Sequence, residues 1–223
     1  MSETFYFSDP HFAHDKVAGL RGFASTHDHD RAVLQSLYDI PRNSTLWGVG
    51  DLTNGRMDAE DRALGLMRDL AHDRNLYLVW IYGNHDTPHG NHSTGFKQVA
   101  RWAQAFNSLP GVMHERKMEG HRVIVSHFPY NGDSEGRDDR DGDGSFGSGD
   151  RYLDWRPRDM GKVIFHGHTH QEKKTSRSVY GTLQISVGWD AWRRPVAQHE
   201  LARLIKQEYH HVDEKPMLDT SFT

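Results

Sequence analysis

Five short polar blocks along this chain carry the residue types that bind metal ions. They are Asp9-Pro10-His11, Gly50-Asp51, Gly83-Asn84-His85-Asp86, His127 and Gly167-His168-Thr169-His170. Each block follows a short apolar run, so each is predicted to lie at the end of a different strand. Carboxylate, imidazole and amide groups that meet at one edge of a sheet predict a site for two metal ions.

Two of the blocks contain ligand candidates that are two positions apart, Asp9 with His11 and His168 with His170. Residues two apart in a strand point to the same side, so Asp9 and His11 are predicted to reach a single cation. Two histidines that point the same way from a strand end, as His168 and His170 would, are costly to bury without a metal ion or an acidic partner. The carboxylate of Asp51 has two oxygens and can bridge two ions, which an imidazole bound through one nitrogen cannot do.

Composition limits the possible classes of protein. With 223 residues, of which 35% are hydrophobic, the chain can form one domain with its own core. The absence of cysteine excludes disulfides and thiol catalysis, and favours a cytoplasmic protein. The net charge is -4 and the basic residues are scattered, so stable binding of duplex nucleic acid is not expected. No apolar run approaches the roughly 18 residues that span a membrane, and nothing in the sequence indicates an oligomeric state.

The chain alternates between strand-like and helix-like patterns. Six strands are predicted, at Thr4 to Phe7, Thr45 to Val49, Leu76 to Tyr82, Arg122 to Ser126, Lys162 to Phe165 and Thr182 to Val187. Four helices are predicted, at Asp28 to Asp39, Asp58 to His72, Thr94 to Phe106 and Val196 to Gln207. This order predicts an α/β domain with ligands at the strand carboxyl ends. Val112 to Met118 can pair with His121 to Ser126 as a hairpin, which predicts a mixed sheet.

Residues 1–210 are predicted to form one domain, and residues 211–223 a loosely attached tail. The segment 131–150 is rich in Gly and Asp and is predicted to be a long surface loop. Its acidic residues have a spacing close to that of a calcium-binding loop, but it ends in Asp rather than Glu. A calcium site, a substrate-covering loop and a plain insertion are therefore the alternatives. The residues in question are Asp139, Asp141, Asp143, Gly144 and Asp150.

Taken together, the ordered blocks resemble the calcineurin-like metallophosphoesterase superfamily. The family pattern of D-x-H, G-D, G-N-H, a lone H and G-H-x-H is matched completely between residues 9 and 170. Val187 to Trp192, followed by Arg194-Pro195-Val196, is similar to the closing strand and turn of small bacterial and phage members. The resemblance implies a four-layer α/β/β/α sandwich with two mixed sheets.

The resemblance also implies a role for each matched residue. One metal ion would be held by Asp9, His11, Asp51 and His170, and the second by Asp51, Asn84, His127 and His168. Mn²⁺ is the expected ion, and Fe, Zn, Ni or Co would accept the same ligands. His85 resembles the general acid of the family. Asp86 would either orient His85 or form the turn.

The implied activity is hydrolysis of a phosphodiester by a metal-bridging hydroxide. Because 223 residues leave no room for a sizeable cap domain, small diesters such as 2',3'-cyclic nucleotides are expected rather than long DNA. The alternatives are a phosphomonoesterase acting on nucleotides or phosphoproteins, and a non-catalytic scaffold. His14 and Arg151 are candidate substrate contacts. Arg156 and Arg158 are weighed in the same role against a solvated surface.

Overall fold

Two five-stranded mixed sheets form the framework of the domain. The computed structural model describes residues 3–118, 120–133 and 150–213. The strands are β1 (Thr4–Phe7), β2 (Thr45–Val49), β3 (Tyr77–Ile81), β4 (Ser108–Gly111), β5 (Met113–Met118), β6 (His121–Ser126), β7 (Val163–His166), β8 (Thr175–Arg177), β9 (Leu183–Ser186) and β10 (Val196–Ala197). The helices are α1 (Asp15–Leu20), α2 (Thr26–Tyr38), α3 (Met57–Arg74), α4 (Val99–Trp102), α5 (Trp189–Trp192) and α6 (Gln198–Asp213).

The strand orders are β10-β1-β2-β3-β4 in the first sheet and β5-β6-β7-β9-β8 in the second. In the first sheet β1 to β4 are parallel, and β10 pairs antiparallel with β1. In the second sheet β6, β7 and β9 are parallel, and the outer strands β5 and β8 are antiparallel to their neighbours. The predicted α/β class, the mixed sheets and the β5–β6 hairpin are confirmed.

Both faces of the first sheet are buried, and alternate residues of its strands pack in two different hydrophobic clusters. Phe5, Leu46 and Trp80 lie in a cluster that also includes Val33 of α2 and Met67 of α3. Their neighbours in sequence lie in a second cluster, which also takes residues from the second sheet. The members of that cluster from the two sheets include Tyr6, Trp47, Val79, Ile81, Val123, Val125, Val163, Phe165 and Ile185. The sheets therefore pack face to face, and α2 and α3 cover the outer face of the first.

Helix α6 bridges an edge of each sheet. Leu201 and Ile205 are buried in the cluster between the sheets, next to the edge strand β10 that directly precedes the helix. Glu208 accepts hydrogen bonds from Thr175 and Arg177 of β8, the edge strand of the second sheet. The helix continues to Asp213, three residues beyond the predicted end of the domain.

The prediction of one continuous helix from Thr94 to Phe106 is wrong. This stretch contains a 3-10 turn at Gly95–Lys97 and the single-turn helix α4. Its apolar residues do not form one buried face, because Val99, one turn before the fully buried Trp102, is 38% exposed. Backbone hydrogen bonds to the third preceding residue, as from Lys97 to Thr94, replace the α-helical pattern.

Candidate metal centre

All the predicted metal ligands follow the carboxyl ends of parallel strands, where the two sheets meet. Asp9 and His11 follow β1, Asp51 follows β2 and Asn84 follows β3 in the first sheet. In the second sheet His127 follows β6, while His168 and His170 follow β7. The strand ends of the two sheets are joined directly, since the backbone N–H of Ser8 donates to Val187 O at 3.0 Å.

Strand alternation is not what brings the paired ligands together, contrary to the sequence-based argument. Asp9 and His11 lie beyond β1 and have φ angles of 57° and 48°, in the left-handed region. His168 and His170, beyond β7, have φ angles of 67° and 51°, and Asp51 has a φ of 57°. Non-glycine residues rarely adopt this conformation, which is concentrated at functional sites. Tight left-handed turns, rather than an extended strand, therefore direct these side chains inward.

Gly167 is required by the close approach of the two sheet ends. A Cβ at this position would overlap the Ser8 hydroxyl and the Asp9 carboxylate. The backbone N–H of the next residue, His168, donates to Asp9 Oδ2 at 3.1 Å. The backbone of one ligand loop therefore packs directly on the carboxylate of another.

The first group of ligand atoms contains two imidazole nitrogens in direct contact. The Nε2 atoms of His11 and His170 are 3.1 Å apart, and each is 3.9 Å from Asp9 Oδ1. Asp51 Oδ2 lies 3.7 Å from His11 Nε2. The ligand atoms of Asp9, His11 and His170 all lie within 4.8 Å of one another, a separation that one ion can span.

The second group is assembled around the side-chain oxygen of Asn84. Asn84 Oδ1 is 3.2 Å from His127 Nε2 and 3.0 Å from His168 Nδ1. Asp51 Oδ2, the same oxygen that faces His11, is 3.3 Å from His127 Nε2. Asp51 therefore lies between the two groups, in the position expected of a bridging ligand.

Each of the four histidines uses its other ring nitrogen on an acceptor outside the centre. His11 Nδ1 is 3.1 Å from Thr53 O, and His127 Nδ1 is 2.9 Å from Val49 O. The last two histidines face carboxylates instead: His170 Nδ1 is 3.1 Å from Asp190 Oδ2, and His168 Nε2 is 2.9 Å from Asp133 Oδ1. Such outer partners fix the tautomer and orientation of metal-binding histidines.

Burial and charge set the protonation of these groups. Burial, and then the neighbouring His170, hold the pKa of His11 well below its usual value. Burial alone would raise the pKa of Asp51, but His127, His85 and His11 hold it well below its usual value. Burial alone would lower the pKa of His127, yet Asp51 raises that pKa to about 9. The buried carboxylate thus attracts positive charge to this point, either as a proton or as a metal ion.

His85 lies at the rim of the centre, with 41% of its side chain exposed. Its Nε2 is 4.0 Å from Asp51 Oδ2, and its ring centroid is 5.6 Å from that of His11. His14 lies beside it, with ring centroids 5.1 Å from His11 and 6.2 Å from His85. His14 Nδ1 accepts from the backbone N–H of Val17 at the start of α1, so Nε2 carries the proton in the neutral ring.

Asp86 has the environment of a turn-forming residue. Its carboxylate is 1% exposed and accepts hydrogen bonds from the backbone N–H groups of Asp51, Leu52 and Gly83 and from the Trp80 indole. These four donors belong to the ends of β2 and β3 and the loops that follow them. The bonds fit the turn-forming alternative, in place of a role in orienting His85.

The arginines and the acidic loop differ in the contacts that they form. Arg151 forms a bidentate pair with Asp133, at 2.6 and 2.9 Å, and Arg156 donates to the carbonyls of Arg151 and Pro129. Arg158 is exposed. Of the possible calcium ligands, Asp150 accepts from the backbone N–H of Gly132. The others, Asp139, Asp141, Asp143 and Gly144, lie outside the described residues.

No protein-family model matches this chain. The chain is 32% identical over 228 residues to the Gene 66 protein of Mycobacterium phage L5, covering 99% of this chain and 100% of the relative. It is also 32% identical over 219 residues to the Gene 66 protein of Mycobacterium phage D29, covering 92% of this chain and 96% of the relative. The chain belongs to the family of these mycobacteriophage Gene 66 proteins.

The fold of this Gene 66 family member is shared with a solved bacterial structure. The crystal structure of a protein of unknown function from Aquifex aeolicus matches with a TM-score of 0.62 at 18% identity, covering 92% of this chain and all of that one. At this identity the match establishes the α/β fold alone. Within the described residues, no helix is long and apolar enough to cross a membrane.

Three residues around the centre of this Gene 66 family member are absent from the sequence-based site. They are Asp190, Asp133 and Arg21, which act on the ligands from outside. Asp190 stands three residues beyond Val187 in a motif that the sequence does reveal, and it follows β9 as the ligands follow their strands. For Arg21 the sequence offers no comparable signal, because it is an isolated charged residue. Asp133 lies in the Gly- and Asp-rich segment 131–150, where nothing in the sequence distinguishes it from its acidic neighbours.

Proposed function

We propose that this chain is a phosphoesterase that depends on two divalent metal ions and acts on phosphodiesters. One observation carries the proposal. His11 Nδ1 faces a carbonyl oxygen and His170 Nδ1 faces a carboxylate, so both Nδ1 atoms carry protons. In the neutral rings the Nε2 atoms, 3.1 Å apart, then have only lone pairs. A cation, or an added proton on one ring, must lie between them.

The surrounding groups favour a metal ion. The same point is flanked by the carboxylates of Asp9 and Asp51, so two anions and two imidazole nitrogens converge on it. These N and O donors suit Mn²⁺, and they also accept Fe, Zn, Ni or Co. The first ion would be held by Asp9, His11, Asp51 and His170, and the second by Asp51, Asn84, His127 and His168. The four-layer sandwich of the metallophosphoesterases is part of the same proposal.

Two such ions would supply a reactive hydroxide and a clamp for phosphoryl oxygens. His85 would donate a proton to the departing oxygen, because it lies at the open rim and reaches toward Asp51. His14 would offer its Nε2–H to a substrate oxygen. Burial, and then the charge of His85, lower the pKa of His14, so it would act as a neutral donor.

The charge around the centre favours a diester over a monoester. Arg21 and Arg151 adjoin the ligand shell, and each is paired with a carboxylate, Asp190 and Asp133. A phosphodiester carries one negative charge and a phosphomonoester close to two. The proposed ions would attract both substrates, and these two arginines already use their charge on Asp190 and Asp133 rather than on the additional charge of a monoester. Small diesters such as 2',3'-cyclic nucleotides fit this balance.

The test is hydrolysis of three substrates by metal-free protein reconstituted with Mn²⁺. We expect release of product from bis-p-nitrophenyl phosphate and 2',3'-cyclic AMP, and slower release from p-nitrophenyl phosphate. Asp51→Asn is the matched inactive variant, because it keeps the shape of the bridging residue and removes its charge. Failure of the wild-type protein to bind any of Mn²⁺, Fe, Zn, Ni and Co would refute the metal centre. Faster turnover of the monoester would refute the substrate class alone.

A further inference from the structure

Arg21 is a fully enclosed arginine beside the candidate metal centre, with 2% of its side chain exposed. Its guanidinium donates to both oxygens of Asp190, at 2.9 and 2.7 Å. It also donates to the backbone oxygen of Asp9 at 2.9 Å, and lies 2.9 Å from His29 Nε2. These partners stabilise the buried guanidinium, because a buried charge without a partner is strongly destabilising.

Through these contacts Arg21 reaches two proposed ligands. It holds Asp9 directly by the main chain, and it holds His170 through Asp190, whose Oδ2 accepts from His170 Nδ1 at 3.1 Å. Asp190 is itself fixed by the sheet ends, because it belongs to α5, whose first residue Trp189 donates its N–H to Ser8 O at 3.1 Å.

The same network reaches the far end of the first ligand loop. His29 Nδ1 is 2.9 Å from Asp30 Oδ1, and the Asp30 carboxylate accepts from the backbone N–H of Ala13 at 2.9 Å. The loop from Asp9 to Ala13 contains three left-handed residues, with φ angles of 57° at Asp9, 48° at His11 and 59° at Ala13. Such a loop is strained and persists only where its surroundings hold it. The network holds it at both ends.

We propose that Arg21 and Asp190 are positioning residues that keep the Asp9–Ala13 loop and the His170 ring in metal-binding geometry. They thereby set the affinity of the first ion, without serving as ligands. The inference rests on the proposed metal centre. It applies to the first ion only, because the second ion's ligands His127 and His168 are held instead by Val49 O and by Asp133.

Three variants test the proposal by Mn²⁺ titration of the metal-free protein. Asp190→Leu removes the acceptor for His170, Arg21→Met removes the donor to Asp9, and the double variant R21M/D190L removes both charges together. We expect one of the two ions to bind about 10- to 100-fold more weakly in each variant, while the other keeps its affinity. The control is R194M/E200L, which removes an exposed bidentate pair of similar geometry and should change neither affinity.

The double variant separates positioning from simple stability. Each single substitution leaves a buried charge without its partner, whereas the double one leaves an apolar pair of similar size. Unfolding in denaturant should therefore show the double variant recovering stability, while its weak binding of one ion persists. Wild-type affinity for both ions in the folded double variant would overturn the proposal.

A measurement without metal distinguishes failure of this inference from failure of the metal centre. Long-range ¹H–¹⁵N NMR of the metal-free protein reports the tautomer of His170, which should be protonated at Nδ1 in the wild type. In R21M/D190L the proton should redistribute toward Nε2. An unchanged tautomer contradicts the positioning role. Absence of binding of Mn²⁺, Fe, Zn, Ni and Co by the wild type contradicts the metal centre instead.

Discussion

At the scale of single residues, the proposed ligands have a strained backbone, and hydrogen bonds and burial fix the positions of their side chains. Five of the proposed ligands have left-handed φ angles, although none is a glycine. A local conformational cost of about 1–3 kcal/mol per such residue has to be offset by the rest of the fold. The outer hydrogen bonds of the four histidines and the buried setting of Asp51 are the interactions that hold them.

His85 should be separable from the ligands by mutation. We expect His85→Ala to lower turnover by about 10²- to 10⁴-fold, the usual contribution of a general acid. Its metal content should stay near that of the wild type, because the proposed ligand atoms belong to other side chains. Steady-state kinetics and elemental analysis of the same sample measure both quantities.

The matched control is His72→Ala, in which the removed histidine side chain is 89% exposed. It should leave turnover and metal content unchanged. Loss of metal together with activity in His85→Ala would instead assign His85 to the ligand shell.

His89 should make the stability of the metal-free protein depend on pH. It is fully buried, and burial lowers its pKa to about 4. The unfolded chain takes up this proton near pH 6.5 and the folded protein only near pH 4, so acidification in this window favours unfolding. Between pH 7 and pH 5 the loss should be roughly 2 kcal/mol from this residue.

Denaturant unfolding of wild type and His89→Leu at both pH values isolates that contribution. The substitution should reduce the loss of stability on acidification by roughly 2 kcal/mol, even if it changes stability at pH 7. An identical loss in both proteins would show that His89 does not titrate in this way.

At the scale of elements, Asp86 joins the ends of two neighbouring strands. Its carboxylate accepts from Asp51 and Leu52 beyond β2, and from Gly83 and Trp80 at the end of β3. Asp86→Asn keeps the shape but exchanges one acceptor oxygen for a donor, so buried N–H groups lose their partner. We expect a loss of about 2–4 kcal/mol in unfolding free energy.

Because Asp51 lies in one of the joined loops, Asp86→Asn should also weaken metal binding. This outcome distinguishes it from His85→Ala, in which turnover falls alone. Reduced turnover with unchanged stability and metal affinity would restore the alternative in which Asp86 orients His85. Calorimetric titration with Mn²⁺ and denaturant unfolding provide the two measurements.

The strands were the part of the fold most open to prediction from sequence. Thr4–Phe7 and Thr45–Val49 match the predicted bounds, because each is a short apolar run with a sharp polar end. The strands β4, β8 and β10 were missed, since they are two to four residues long and have little apolar pattern. Helix α1 was missed for a similar reason, as only Val17 and Ala18 are buried in it.

The candidate site could likewise be predicted from the sequence only in part. Spacing and residue type identified side chains that converge in space, such as His127 and Asn84, because each stands directly beyond an apolar strand. The turn geometry that aims them could not be foreseen, since left-handed φ angles at Asp9 or His168 are imposed by distant contacts. Arg21 and Asp190, 169 positions apart, meet only in the folded protein.

At the scale of the whole molecule, metal binding should stabilise the packing of the two sheets against each other. Each ion that binds only the folded state adds about 2.7 kcal/mol of stability at a concentration 100 times its Kd. For a chain of this size that corresponds to a rise in Tm of roughly 5–10 °C per ion. Thermal unfolding with Mn²⁺, and again after addition of EDTA, measures the effect and its reversal.

Asp51→Asn should remove most of this rise, because the shared carboxylate contacts both groups of ligands. The exposed-pair variant Glu200→Gln should retain the full rise. Equal Tm values with and without Mn²⁺ in the wild type would show that the ions do not link the sheets.

Contacts between distant parts of the chain also determine when the proposed centre can form during synthesis. Asp9 leaves the ribosome early, yet its carboxylate accepts from the backbone of His168, 159 positions later. Strand β1 likewise completes its pairing only with β10. A nascent chain that ends before His168 therefore has three of the four proposed ligands in each group and lacks strand β10. Binding of the proposed ions is therefore expected only after the residues up to β10 have been synthesised.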